Sequence, residues 1–257
     1  MSYRVFIFDI DNTLTSSRDW NFVPSAMEAL KQLRKKGHTV VISSGRTPKA
    51  AVMLEKNGIE YDYFVGANGH LVADGQGNIL WSVRFDRELC DRIDEFCIRN
   101  DMGYFWKLED CSYITVNNEN IDKIFELYKS ETVTERPDDF SPFGGALVTS
   151  AEKARQFEKE FSEDTDCVDG GALIYDILLK GVSKKDGIRE LLKILNVSRE
   201  ECMAFGDSLN DLEMLEYAGM GVAMADGQKE ALEKADYITA ETYNDGIKKA
   251  LEYFGVL

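Results

Sequence analysis

The apolar positions along this chain fall into two rhythms. Val5 to Phe8, continued by Ile10, is an unbroken apolar run, as are Val40-Val41-Ile42 and Cys202-Met203-Ala204-Phe205. Unbroken short runs predict strands covered on both faces, hence a mainly parallel sheet with helices on each side. Between them the spacing turns helical. Ala26, Ala29, Leu30 and Leu33 line one face of a helix from about Pro24 to Lys36, with Pro24 at its first position and Gly37 ending it. Thr39 to Ile42 is the second strand, Thr47 caps a helix that begins at Pro48 and ends at Gly58, and Tyr61 to Val65 is the third strand, closed by the turn Ala67-Asn68-Gly69. Leu71 to Trp81 predicts a hairpin; its Gly75 and Gly77 lack the third glycine and following helix of a dinucleotide loop.

From about residue 83 to 181 the grammar changes. Helices are expected near Asp86–Asn100, Asn120–Ser130 and Ala151–Phe161, and short strands near Gly103–Leu108, Ser112–Val116, Ala146–Thr149 and Ala172–Leu179. This reads as a small α/β domain, residues 83–181, inserted into a first domain made of residues 1–82 and 182–257. Its aromatic triplet Tyr104-Phe105-Trp106 is expected to pack within a sheet, with a ligand contact as the alternative. The first grammar then resumes. Ile188, Leu191, Leu192 and Leu195 recur at helical spacing, Ser198 and Glu201 form a capping box, and Cys202 to Phe205 is the fourth core strand. Gly221–Met224 and Tyr237–Thr239 are the last short strands, and a terminal helix begins near Asn244. The fold class is therefore α/β: a Rossmann-like, doubly wound, mainly parallel sheet with an inserted α/β unit.

Charge narrows the partners. Lysine and arginine total 30 against 46 acids, a net charge of −16, which disfavours a nucleic-acid partner. A small phosphorylated metabolite remains compatible if cations or a metal offset the repulsion locally. No apolar run approaches the roughly 18 residues of a membrane helix, and Asp9 and Asp11 interrupt any signal-like core, so a cytoplasmic protein is expected. The five cysteines form no Cys-x-x-Cys pair and read as reduced thiols. With only two histidines, acid–base work falls to carboxylates. A monomer is expected, with a dimer as the alternative.

The candidate chemistry sits at strand ends. Asp9 and Asp11 leave the first strand on the same face, because side chains alternate, and carboxyl ends of strands are where ligands bind in open α/β sheets. Asn12 and Thr13 follow. Further pieces are Ser44-Gly45-Arg46 after the second strand, Lys184 at a helix start, and Gly206-Asp207-Ser208-Leu209-Asn210-Asp211 after the fourth. In this order the four pieces resemble the haloacid dehalogenase superfamily of phosphotransferases, and the insertion resembles the α/β cap of its type IIB, Cof-like subgroup. The resemblance covers essentially the whole chain. It implies a Mg²⁺-dependent phosphatase acting on a small phosphorylated metabolite, with sugar phosphates foremost. Asp9 would be the nucleophile and Asp11 the acid–base. Asp9, Asp207, Asp211 and the Asp11 backbone carbonyl would hold the metal, Asp211 through a water. Asn12, Thr13, Ser44, Gly45, Lys184 and Asn210 would bind phosphate. Arg46 would either form a salt bridge or touch substrate, and Asn68 would either line the site or merely turn the chain. A sugar phosphomutase, or a sensor that binds phosphometabolites without turnover, are the competing readings. Asn12 stands where the family often has Gly, Lys185 where Gly is frequent, and Ala225-Asp226-Gly227 where Gly-Asn-Ala is common.

Overall fold

The first strand, β1 (Val5–Phe8), is wholly buried and sits inside an eight-stranded sheet. The computed structural model to which it belongs describes residues 3–49, 51–128, 130–171 and 173–257. After β1 come α1 (Pro24–Lys35), β2 (Thr39–Ser43), α2 (Val52–Lys56), β3 (Tyr63–Gly66), β4 (Leu71–Asp74) and β5 (Ile79–Ser82). The middle of the chain holds α3 (Arg87–Arg99), β6 (Gly103–Lys107), β7 (Ser112–Val116), α4 (Glu119–Tyr128), β8 (Thr132–Val133), β9 (Gly144–Val148), α5 (Ala151–Phe161), β10 (Thr165–Gly171) and β11 (Ile174–Leu179). The last part is α6 (Lys184–Leu195), β12 (Cys202–Gly206), α7 (Leu212–Tyr217), β13 (Met220–Ala223), α8 (Lys229–Lys234), β14 (Tyr237–Ile238) and α9 (Gly246–Tyr253).

The first sheet runs β14-β13-β12-β1-β2-β3-β4-β5. All pairs from β14 to β3 are parallel, and β4 and β5 add an antiparallel edge. The chain winds outward from β1 in one direction through β2 and returns on its other side as β12, so β1 marks the topological switch point. Strand parity explains the unbroken apolar runs. Phe6 and Phe8 pack with Val40, Ile42, Leu33 and Leu251 on one face, whereas Val5 and Ile7 pack with Val41, Ile188, Leu191 and Met214 on the other. The mainly parallel α/β core expected from the sequence is therefore observed. Among the described residues no helix is long and apolar enough to cross a membrane.

The second sheet, β10-β11-β9-β6-β7-β8, is built entirely from the middle of the chain. One of its faces carries Tyr104, Trp106, Leu147 and Ile177 and packs on α3 and α5 through Phe96, Phe157 and Phe161. The other carries Phe105, Ala146, Val148 and Ile174 and meets Ile121, Ile124 and Phe125 of α4. The aromatic triplet is thus divided: Tyr104 and Trp106 are core, and Phe105 faces the opposite side.

Several local expectations need correction. The helix expected from Pro48 begins only at Val52. The Thr47 side chain is buried instead of capping, and the Ala51 amide donates to the Thr47 and Pro48 carbonyls in a turn. β10 was not anticipated, because an edge strand reading Thr-Asp-Cys-Val-Asp-Gly-Gly pairs on one side only and has no apolar stripe. α8 buries only Ala231 and carries no readable period. β8 is two residues long. The strand expected near Ala146–Thr149 begins earlier, at the paired glycines 144 and 145, which read locally as loop. Lys129 and Ala172, included in an expected helix and strand, lie outside the described residues.

Both connections between the sheets converge on one residue, His70. Outgoing Val83 donates its amide to the His70 carbonyl at 2.8 Å, and returning Leu179 donates its amide to His70 Nε2 at 3.1 Å. Because that nitrogen accepts, Nδ1 carries the proton and donates to the Ala67 carbonyl at 2.8 Å. Phe85 stacks on the imidazole. Burial pushes the His70 pKa down to about 4, in keeping with a neutral ring. Beside it Gly69 has φ +96° and lies so close to α6 that a Cβ would stand 1.9 Å from the Ser183 carbonyl oxygen. Any other residue there would displace the start of α6, where Lys184 sits.

Candidate active site

The ends of β1, β2 and β12 and the start of α6 meet over the switch point. Asp9 follows β1 directly and is 5% exposed. Lys184, the first residue of α6, is completely buried, and its Nζ lies 2.6 Å from both Asp9 Oδ1 and Asp211 Oδ1. The α6 start is fixed by Asp186, whose carboxylate accepts from the Ser183 amide at 3.0 Å. Lys185, the neighbouring candidate, is half-exposed. Asp211 is fully buried, and its other oxygen accepts from the Asp207 and Ser208 amides at 3.0 and 3.1 Å. The turn after β12 is thereby folded around Asp211. Carboxylate oxygens of Asp9, Asp207 and Asp211 lie within 4.8 Å of one another.

Three buried acids share one buried ammonium, and the electrostatics show the imbalance. Burial raises the Asp9 pKa well above the usual carboxylate range; Lys184 opposes this, and Asp211, Asp207 and Asp11 add to it. Burial, reinforced by Asp211, pushes Asp207 up to about 7 against donors from Asn12 and Thr13 and the Lys184 charge. Burial alone would depress Lys184, but Asp211 and Asp9 outweigh it and hold the ammonium above its ordinary value. An all-oxygen, over-acidic cluster of this kind fits a hard divalent cation.

The remaining candidates occupy two different places. Asn12 Nδ2 and Thr13 Oγ1 donate to Asp207 at 3.1 and 3.2 Å. These side chains therefore brace an acid, because a buried carboxylate needs donors more than an open cavity does. Asn12 has φ 59°, the left-handed turn a glycine would also supply. Its carbonyl accepts from Thr242 Oγ1 at 2.6 Å, and the Thr242 amide in turn donates to Asp226 at 2.9 Å. Asp226, in the segment that departs from the family pattern, thus anchors the turn after β1 at one remove. Nothing in the sequence around Thr242 signalled this.

Asp11, Ser44, Gly45 and Asn210 line a cavity of about 190 Å³ that also touches Asp9. Arg46 Nη2 is 3.2 Å from both oxygens of Asp11, an ion pair at the cavity wall. Ser44 is buried, lines the cavity, and its Oγ accepts from the Arg46 amide at 3.3 Å. Asn68, also left-handed at φ 53°, ties two residues of the cavity wall together: it accepts from Asn210 Nδ2 at 3.1 Å and donates to Asp176 at 2.6 Å. The roof of the cavity comes from the second sheet, as Phe105, Lys107, Ala146, Ile174 and Asp176, with Ile124 and Phe125 of α4. A larger cleft, about 1000 Å³, runs beside α2 and the start of β7 but contains none of the buried aspartates, so the chemistry belongs to the smaller one.

Lys107 and Asp176 were not anticipated. Lys107 Nζ donates to Asp176 Oδ1 at 2.5 Å and to the Gly45 carbonyl at 2.9 Å. The only available signal was parity, since both follow apolar residues two positions earlier on their strands, Phe105 and Ile174.

Comparison with known proteins agrees with this geometry. Residues 6–251 match the family model of the haloacid dehalogenase-like hydrolases. A phosphoglycolate phosphatase of Methanosarcina acetivorans is 27% identical over 262 residues, covering 98% of this chain and 97% of the relative. A Streptococcus pyogenes protein, whose name pairs a phosphatase with a peptidyl-prolyl cis-trans isomerase, is 30% identical over 267 residues; the match covers 99% of this chain and only 54% of that longer protein. Among solved structures, the HAD subclass IIB sugar phosphatase BT4131 superposes with a TM-score of 0.88 at 27% identity, covering 99% of this chain and all of that one. The chain belongs to the haloacid dehalogenase-like hydrolases and is a phosphatase of that superfamily, with the type IIB arrangement.

Proposed function

We propose that this phosphatase is a Mg²⁺-dependent phosphomonoester hydrolase that acts on a small phosphorylated metabolite, foremost a sugar phosphate, through an aspartyl-phosphate on Asp9. The observation that carries the reading is the placement of Asp9 against Lys184 at the foot of a cavity whose side wall is Asp11. Asp9 would attack phosphorus through a carboxylate oxygen while the bond from phosphorus to the ester oxygen breaks. Asp11 would give that oxygen its proton, then take one from the water that attacks the aspartyl-phosphate and releases inorganic phosphate. Lys184, the Ser44 hydroxyl, the Gly45 amide and the Asn210 amide would hold the phosphoryl oxygens. Asn12 and Thr13 would act through Asp207, which they orient. Asp9, Asp207 and the Asp11 backbone carbonyl would hold Mg²⁺, with Asp211 beside them. When bound, the ion would neutralise carboxylate and phosphoryl charge that Lys184 alone leaves uncompensated.

Residues 83–181 would form a cap over a catalytic domain of residues 1–82 and 182–257, excluding water while the ester reacts. The free cysteines fit a reducing, cytoplasmic setting. The sugar phosphatase BT4131 and the phosphoglycolate phosphatase, as named, both support a small ester as substrate. The test is inorganic phosphate release from a panel of phosphomonoesters, with Mg²⁺ and with EDTA, beside Asp9→Asn and Asp11→Asn. Metal-dependent release by the wild type, lost in both variants, is the expected result. Transfer of the phosphoryl group back to a sugar without phosphate release would replace hydrolysis by mutase chemistry.

A further inference from the structure

The cap side of the cavity sets Phe105, Ile124, Phe125, Ala146 and Ile174 around an ion pair that is neutralised internally. The charged residues around the cavity are Asp9, Asp11, Arg46, Lys107, Asp169 and Asp176. Arg46 lies on Asp11 in the core, and Lys107 lies on Asp176 in the cap. The Lys107–Asp176 pair is almost buried, with side chains 14% and 13% exposed, so water screens it little. Asp169 adds a further negative charge. A second anionic group on the substrate would therefore meet acids outnumbering bases, with the cap lysine already matched.

The pair still has binding capacity for neutral groups. Two contacts of Lys107 Nζ are the Gly45 carbonyl and Asp176, and an ammonium has three donors. Asp176 accepts from Lys107 and Asn68, and a carboxylate offers about four lone-pair sites. Gly45 makes the close approach possible, since a Cβ there would stand 3.0 Å from Asp176 Oδ2. Around the pair lie Phe105, Phe125 and Ile174. The cavity volume of about 190 Å³ is below the roughly 300 Å³ at which ordinary ligand pockets begin, which is small for a nucleotide.

We propose that Lys107 and Asp176 act together as a charge-compensated specificity element that accepts a small, uncharged, hydroxyl-bearing leaving group and rejects one carrying a carboxylate or second phosphate. This rests on the phosphatase reading of the same cavity, with the leaving group lying under the cap. It separates this chain from its phosphoglycolate-hydrolysing relative, whose leaving group is anionic.

The experiment uses ester pairs that differ only in one terminal group. Glycerol 3-phosphate is compared with 3-phosphoglycerate, and sorbitol 6-phosphate with 6-phosphogluconate, as ratios of kcat/KM with Mg²⁺ present. The wild type is expected to favour the neutral member of each pair by about tenfold or more, the scale of one unit charge at contact distance in a partly screened site. Asp176→Asn, which leaves Lys107 unmatched, is expected to shift each ratio toward the carboxylate by about tenfold. Lys107→Met is expected to shift it the other way. Both rates come from one preparation, so partial unfolding cancels in the ratio. A wild-type preference for the carboxylates, or ratios unchanged in Asp176→Asn, would overturn the proposal. Absence of hydrolysis of every ester, p-nitrophenyl phosphate included, would instead remove the phosphatase reading and the specificity element with it.

Discussion

The floor and roof of the cavity are built on opposite electrostatic plans. In the floor, Asp9, Asp207 and Asp211 crowd around one ammonium and stay over-acidic, a surplus that a cation and a phosphoryl group can use. In the roof, one lysine meets one aspartate among phenylalanine, isoleucine and alanine side chains, with Asp169, Ser112 and Ser130 also on the wall. The floor is unbalanced toward a charged reaction centre, whereas the roof is balanced toward shape and hydroxyl groups. On the proposed reading, reactivity and selectivity would be carried by separate chain segments that share a single volume.

The largest effect should come from a lysine exchange on each side. Lys184→Met removes the buried partner of two carboxylates, and turnover of every ester is expected to fall about 10²–10³-fold alike. Unfolding in urea with EDTA should show a loss of about 3–5 kcal/mol, the usual cost of breaking a buried ion pair. Lys107→Met should instead lower turnover unequally among esters. A uniform loss in both variants would erase the distinction between floor and roof.

The floor's surplus also predicts a pH dependence of stability. Asp207 is raised to about 7 and Asp9 lies well above its ordinary value, so in that window the folded state binds more protons than the unfolded one. Stability then falls as pH rises. Metal-free protein should be more stable at pH 6.5 than at pH 8 by an amount on the order of 1–3 kcal/mol, read as a higher melting temperature at the lower pH. Mg²⁺ should shrink the difference by replacing protons with a cation. His70 acts in the opposite sense, but with a pKa depressed to about 4 its contribution is lost only as pH falls from about 6.5 toward 4. Equal melting temperatures with EDTA at the two pH values would show that the acids are not strained.

The last effect falls on stability alone and belongs to the joint between the two sheets. His70→Ala would leave the Leu179 amide without its acceptor, at a cost of about 1–3 kcal/mol read in thermal melts. His70→Gln, whose amide oxygen can take the same bond, should recover part of it. Gln and Ala variants of equal stability would show that the ring's packing on Phe85 matters and the hydrogen bond does not.

The floor could be read from the chain because each of its residues adjoins a strongly periodic element. Asp9 follows β1, Ser44 follows β2, Asp207 follows β12 and Lys184 opens the amphipathic α6. A strand that must be buried on both faces fixes where its end lies, and the end carries the chemistry. The roof resisted for the corresponding reason. Lys107 and Asp176 lie on β6 and β11, which never pair directly; each pairs with β9, so Phe105 and Asp176 both stand opposite Ala146. No local pattern encodes a register shared through a third strand. His70 was equally silent, because its partner Leu179 is distant in sequence and the bond uses a backbone amide. Thr47 and Pro48 misled for a different reason, since burial of the threonine side chain overrode a good local capping signal.

Alternation along the second sheet has a further consequence for how such a protein can change over generations. Tyr104, Trp106 and Ile177 pack the second sheet onto α3 and α5 from one side, while Phe105, Lys107 and Asp176 look into the cavity from the other. Replacements at alternate positions of β6 and β11 therefore alter what fits beneath the roof while the packing on α3 and α5 keeps its members. If the proposed specificity element holds, diet and durability are written on opposite faces of the same few strands, and a lineage could explore new esters without first risking its fold.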